Sequence, residues 1–195
     1  MGEPAVNIDN VLLGLEKAYA EIWDKFEQII FRVSTIGDLD FPQKFATFIK
    51  EKWPMMPKVR FQFQLSLHNA INNERKEMIP SLSQSMTVEQ ILASFYWLAE
   101  TLGTKLKCNY LLLQYPDWRT NFSQAHLDRL VHVLQPGKTT VKLTRYSDTG
   151  KWFTSPDDSV YQMVSSFLSQ HGIKNKIREL HGNDIGAACG MLDYT

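Results

Sequence analysis

From Thr139 the chain runs Thr139-Thr-Val-Lys-Leu-Thr-Arg145, then a helix-patterned segment from Asp157 to His171 closed by Gly172, then Ile173-Lys-Asn-Lys-Ile-Arg-Glu-Leu180. The outer pieces read as strands and the middle as a helix. A strand–helix–strand unit calls for a right-handed crossover and parallel neighbours. The same alternation continues toward the start of the chain. Asn7 to Phe26 reads as a helix with Val11, Leu12, Leu15, Ala18, Tyr19 and Ile22 on one side, and Gln28 to Thr35 as a strand broken by Gly37. Pro42 to Lys52 is helical, with Phe45, Phe48 and Ile49 as its apolar face, and Pro54 and Pro57 stop it.

Lys58 to Leu67 alternates apolar and polar residues, as a strand does. Thr87-Val-Glu-Gln90 has the spacing of a capping box and opens a helix through Ile91, Phe95, Leu98 and Leu102. Lys105 to Gln114 gives a third strand, Ser123 to Leu134 a helix closed by Pro136-Gly137, and Thr139 to Arg145 a fourth strand. The order predicts an α/β fold with a parallel sheet, open or curved into a barrel. No low-complexity linker divides residues 1–195, so a single domain is expected.

Composition narrows the function. The 195 residues are 44% hydrophobic and 12% aromatic, which suits a globular chain. Twenty-one basic and 21 acidic residues cancel, unlike a dedicated nucleic-acid binder, although a local basic patch would be hidden in that sum. No apolar run nears the roughly 18 to 20 residues of a membrane helix, and Met-Gly-Glu-Pro has no leader character. The two cysteines, Cys108 and Cys189, imply no disulfide framework, and a cytoplasmic location is expected. No metal-ligand spacing is present, so no metal site is assigned within the chain.

In parallel sheets chemistry collects at the carboxyl ends of strands. Those ends carry Ser34-Thr-Ile-Gly37, Ser66-Leu-His68, Gln114-Tyr-Pro-Asp117, Arg145-Tyr-Ser-Asp148 and the closing stretch Ala187-Ala-Cys-Gly190, while Gly2-Glu3-Pro4 stands as a loop entering a helix. Cys189 sits among small residues, which lets a thiol approach a ligand closely; an ordinary packed cysteine is the competing reading. Cys108, mid-strand, reads as structural. His68 could ligate, shuttle a proton or satisfy a neighbouring carbonyl.

Together these motifs resemble the radical S-adenosylmethionine ribosomal RNA methyltransferases of the RlmN/Cfr family, over essentially the whole chain but only the later part of the family's length. The resemblance rests on Gly2-Glu3-Pro4, Ser34-Thr-Ile-Gly37, Ser66-Leu67-His68 with Arg75, Glu77 and Pro80 following at matching spacing, and the closing motif from Gly182 to Leu192. It implies a partial parallel β/α barrel lacking its first strands, and methylation of an adenine ring carbon through a methyl-cysteine. By motif match Cys189 would carry the methyl group, and Gly2, Glu3, Ser34, Ser66, Leu67, His68 and Ser147 would face S-adenosylmethionine.

The family's Cys-x-x-x-Cys-x-x-Cys loop, which holds a [4Fe-4S] cluster, is not in this sequence, and neither Cys108 nor Cys189 could replace three thiolates. The chain alone is therefore expected to be inactive. Arg145-Tyr-Ser147-Asp148 replaces the family's Pro-x-Asn-Pro segment, and Met191 its glutamine. RNA is the implied partner, together with a chain supplying the upstream half; a misplaced start, a gene fragment or a split protein would each explain the shortness. A non-catalytic remnant binding S-adenosylmethionine or a partner, and a radical enzyme for another substrate, are the alternatives.

Overall fold

The computed structural model describes residues 3–80, 86–147 and 153–179. After a 3-10 turn at Pro4–Asn7 come α1 (Ile8–Ile22), β1 (Ile29–Thr35), α2 (Asp40–Lys52), β2 (Val59–Ser66), α3 (Asn72–Met78) and α4 (Val88–Thr101). Then follow β3 (Leu106–Leu111), α5 (Gln124–Val133), β4 (Thr139–Thr144), α6 (Asp158–Gln170) and β5 (Lys174–Arg178). The strands form one five-stranded sheet in sequence order, and the β1/β2 and β4/β5 pairs are parallel. The α/β class with a parallel sheet is as the sequence predicts. The chain divides into two compact units, Met1–Ser66 with Ile79–Lys107, and Leu67–Met78 with Cys108–Thr195.

In the first unit the register sets Phe31 against Phe61, Val33 against Phe63 and Thr35 against Leu65 on one face of β1/β2. Helices α2 and α4 cover that face. Phe45 and Phe48 meet Phe61 edge-on at 5.8 and 6.1 Å, and Phe95 lies 6.0 Å from Phe63 and 5.8 Å from Phe41. Phe41, Phe45 and Phe95 are fully buried, each contributing roughly 2–3 kcal/mol of apolar burial. The alternate residues pair as Ile30 with Arg60, Arg32 with Gln62 and Ser34 with Gln64, so the other face is polar. There Gln62 Oε1 accepts from Arg32 Nε at 3.1 Å and from Lys107 Nζ at 2.8 Å.

The capping box opens α4 as the spacing predicts: Gln90 N–H donates to Thr87 Oγ1 at 3.2 Å, and Thr87 N–H to Gln90 Oε1 at 2.9 Å. Helix α1 is less buried than its pattern implies. Its stripe of Val11, Leu12, Leu15, Ala18, Tyr19 and Ile22 is half-buried, and Ile8 is its buried residue.

In the second unit β5 alternates cleanly. Asn175 faces α6, donating to the Ser165 carbonyl at 3.1 Å and to Ser169 Oγ at 3.0 Å. Lys174, Lys176 and Arg178 therefore point to the opposite face, opposite Thr140, Lys142 and Thr144 of β4. Tyr110, Leu127, Leu130, Val141, Leu143, Tyr161, Val164 and Leu168 are buried.

Three elements depart from the sequence reading, the first being α1, which stops at Ile22 rather than Phe26. β3 ends at Leu111 rather than Gln114, because the next alternate N–H groups are taken by side chains: Leu111 N–H by His68 Nδ1 at 3.1 Å and Leu113 N–H by Asn121 Oδ1 at 2.8 Å. Helix α3 has too few apolar residues to show a stripe; a turn at Asn69, whose Oδ1 accepts from Ile71 N–H at 2.8 Å, starts the chain toward it.

Gly37 turns at φ +97°, and a Cβ there would stand 2.8 Å from Ile91 Cγ2 and 2.9 Å from Leu65 Cδ1. Conformation and space both require glycine. Gly37→Ala should lower unfolding free energy by about 2 kcal/mol, read as a shifted urea midpoint with an unchanged slope.

Candidate functional site

Glu3 is fastened to the loop that follows β1. Its Oε1 accepts from Ala5 N–H at 2.9 Å and from the Thr35 hydroxyl, and its Oε2 accepts from Ile36 N–H at 3.0 Å. Thr35 Oγ1 in turn accepts from Gly37 N–H at 3.0 Å. The carboxylate thus spends its lone pairs on the chain itself and holds the Ser34-Thr-Ile-Gly37 loop against the residues entering α1. Thr35 is buried, whereas Ser34, one residue earlier on the strand, is exposed. Two motifs named from the sequence are brought together here, and a serine hydroxyl is left facing outward beside them.

In the second unit His68 has φ +57°, a left-handed conformation uncommon for a residue with a Cβ. Four hydrogen bonds determine it. The backbone of Leu67 and His68 donates to the Asn109 carbonyl at 3.0 and 3.4 Å, Leu111 N–H donates to the imidazole Nδ1 at 3.1 Å, and Asn121 Nδ2 donates to the His68 carbonyl at 2.7 Å. Because Nδ1 accepts, the ring is neutral and its proton resides on Nε2. Burial, with the positive charge of Arg75 added, lowers the imidazole pKa to about 4.

Asn121 is fully buried and spends its whole amide on this corner. Besides the His68 carbonyl it donates to Leu111 O at 2.6 Å and accepts from Leu113 N–H, while its own carbonyl accepts from the Tyr110 hydroxyl at 2.7 Å. Nothing in the sequence marked it, since a lone Asn before a helix reads as loop. Leu67 is fully buried, and its carbonyl accepts from Arg75 Nε at 2.9 Å, so both its side chain and its backbone serve the fold. Arg75 is itself buried, and Cys108, fully buried near it, has its thiol pKa pushed by burial up to about 12, against a smaller pull from Arg75. Cys108 is structural, as its mid-strand position suggests.

Glu74 and His126 join α3 to α5, with His126 Nε2 2.5 Å from Glu74 Oε2 and the exposed Ser123 hydroxyl 2.7 Å from His126 Nδ1. Burial raises the Glu74 pKa, but the hydrogen bonds from His126 and Asn69 and nearby positive charge outweigh it, so the carboxyl lies below its ordinary value. Ser66 is half-buried and Ser147 is buried at 5% exposure. Gly2 and Cys189 lie outside the described residues. Among the described residues no cluster of His, Cys, Asp and Glu could hold a metal ion, and no helix is long and apolar enough to cross a membrane.

No family model matches the chain. Among curated proteins it is similar to the "Probable dual-specificity RNA methyltransferase RlmN" of Prochlorococcus marinus (strain NATL2A), at 28% identity over 193 residues, and to the protein of the same description from Thermosipho melanesiensis, at 26% over 192 residues. Each match covers 98% of this chain and 51% or 52% of the relative, so the chain spans about half the length of the curated relatives it matches. Among solved structures, a radical SAM methyltransferase from Sphaerobacter thermophilus superposes with a TM-score of 0.82 at 23% identity, over 98% of this chain and 52% of that one. A domain of a pyruvate-formate lyase-activating enzyme from Bacteroides vulgatus superposes with a TM-score of 0.61 at 14% identity, over 92% and 96%. The sequence matches RlmN-type proteins along nearly all of its length, and the extent fits a carboxy-terminal portion of them.

His68 gives the corner a pH signature. With a folded pKa of about 4 against an ordinary 6.5, the unfolded chain binds the proton first as pH falls. The stabilisation from a neutral imidazole is therefore complete above pH 6.5 and is lost as pH drops through 4. Urea midpoints at pH 7 and pH 5 should differ less in His68→Gln than in the parent; an equal difference in both would mean that His68 is not the responsible group.

Proposed function

We propose that this chain forms the S-adenosylmethionine-facing, carboxy-terminal part of a radical SAM RNA methyltransferase that methylates a ring carbon of an adenine in ribosomal RNA. The observation that carries the reading is the Glu3 clamp: Glu3 and the Ser34 loop, distant in sequence, are tied into one corner at the carboxyl end of β1. The similarity along 98% of the chain supports it. Each unit offers a polar group that suits S-adenosylmethionine: in the first, the Glu3 clamp leaves the Ser34 hydroxyl exposed, and in the second, the neutral His68 ring keeps a donor at Nε2. Bound S-adenosylmethionine would supply both the methyl group and, with the cluster, the hydrogen-abstracting radical.

The residues do not fit the cluster. Cys108 stays a buried thiol at neutral pH, and two cysteines cannot give three thiolates. The cluster's ligands must come from outside this sequence, and no step through the cluster is assigned to these residues. Within the chain, Glu3 orients the Ser34 loop, Asn121 and the Leu111 N–H fix the His68 ring, and the Cys189 sulfur would take the methyl group by displacement, with S-adenosylhomocysteine leaving.

RNA as the partner gains support from charge that the neutral total hides. Neither β4 nor β5 contains an acidic residue, and Lys142, Lys174, Lys176 and Arg178 share one face of that strand pair. Such a face attracts phosphates and makes binding salt-dependent.

Two measurements test the reading. In the protein combined with its cluster-bearing segment and incubated with S-adenosylmethionine, peptide mass spectrometry should find one added methyl on Cys189, and Ser34→Trp should weaken S-adenosylmethionine binding about tenfold by calorimetry. A methyl placed elsewhere, or an active Cys189→Ala variant, would sink the assignment. For the basic face, Lys174→Glu with Lys176→Glu should weaken RNA binding and reduce the slope of log affinity against log salt by about two; an unchanged slope would remove that face from the interface.

A further inference from the structure

Tyr115-Pro-Asp-Trp-Arg119 forms a tight turn just beyond β3. Trp118 N–H donates to Tyr115 O at 3.1 Å, Tyr115 N–H donates to Arg119 O at 2.9 Å, and Gln114 pairs antiparallel with Thr120 on one side and Thr154 on the other. In this geometry the residue before the returning strand adopts a left-handed conformation, a place where glycine or asparagine is normal. Here it is Trp118, at φ +65°, with 82% of its surface exposed. A tryptophan in that conformation costs backbone energy, and its exposure means that burial among the described residues does not offset the cost.

Beside the turn lies an open cavity of about 320 Å³ lined by Glu77, Tyr115, Asp117, Arg119 and Phe153 among others. Tyr115 and Phe153 meet edge to face at 4.9 Å, which gives it an aromatic wall. Aromatic walls with carboxylates also suit a ligand cation. That role is already filled by the chain, since the Arg119 guanidinium lies 5.0 Å from the Tyr115 ring centre, 2.7 Å from Asp117 and 3.4 Å from Glu77. With one cation against two carboxylates the corner does not favour a phosphate either. A neutral, planar, hydrogen-bonding group is what remains: a nucleobase.

We infer that the Tyr115–Arg119 turn is a base-stacking contact, in which Trp118 stacks on an unpaired adenine or cytosine whose exocyclic amino group donates to the Asp117 or Glu77 carboxylate. The inference rests on RNA being the partner. It assigns to this turn a share of affinity that is largely independent of salt, in contrast to the basic β4/β5 face.

The test is fluorescence anisotropy with the full chain and a labelled single-stranded oligoadenylate, with oligouridylate and an arginine-rich peptide as parallel probes. Trp118→Gly should weaken oligoadenylate binding by about tenfold without changing the salt slope, while Trp118→Phe stays within a few-fold of the parent. Because glycine suits the φ of position 118, Trp118→Gly should unfold at the same or a higher temperature, so a loss of binding would not be a loss of fold. Parental affinity in Trp118→Gly, no binding of oligoadenylate, equal binding of oligouridylate, or a preference for the peptide would each overturn the inference. If the Lys174→Glu, Lys176→Glu variant loses RNA affinity and Trp118→Gly does not, the turn fails while the RNA reading stands. If neither variant changes the affinity, the turn and the basic face both leave the interface, and the inference fails.

Discussion

Strict alternation along the strands is the constraint from which the rest follows. A parallel strand is ordinarily apolar on both sides because both faces are covered. Here β1 and β2 set Phe31, Phe61, Phe63 and Leu65 toward α2 and α4, and Arg32, Gln62, Ser34 and Gln64 away from them. β4 and β5 repeat the arrangement with Asn175 toward α6 and lysines on the reverse. Since the period is two, the aromatic packing and the polar face are a single choice: a register slip of one residue in β2 would bury Gln62 and expose Phe61 and Phe63 together. The helices therefore stabilise the fold and, in doing so, decide which polar side chains remain available for chemistry.

The strand ends use that freedom in two ways. At β1 a carboxylate from far back in the sequence serves as a fastener, so the loop's conformation depends on Glu3 as much as on its own residues. Near the end of β3 a buried amide does the corresponding work: Asn121 satisfies carbonyls and an N–H that the interrupted ladder leaves open, and the left-handed His68 is fixed within that network. In both, a strand-end motif is positioned by a residue that spends its hydrogen-bonding capacity on the chain.

The sequence carried the elements that have strong periods. The Thr87–Gln90 box, the strand at Val59–Ser66 and the helix at Asp158–Gln170 lie within a residue or so of where spacing puts them. What was not legible depends on partners distant in sequence. Helix α3 follows an Asn69 turn and includes a buried arginine, neither of which makes a hydrophobic stripe. The end of β3 is set by the side chains of His68 and Asn121, and Trp118 gives no sign in sequence that its φ is positive. Ser34 and His68 were legible as strand-end residues, but the Glu3 clamp depends on the distant Thr35 hydroxyl and Ile36 N–H, which no local pattern marks.

Cys108 has a consequence of another kind. Walled in by its own unit and protonated across the physiological range, its sulfur is poor at every reaction that a thiolate performs, whether ligation, alkylation or disulfide exchange. The burial that stabilises the second unit thus also fixes the chemistry of this sulfur: it packs and does not react.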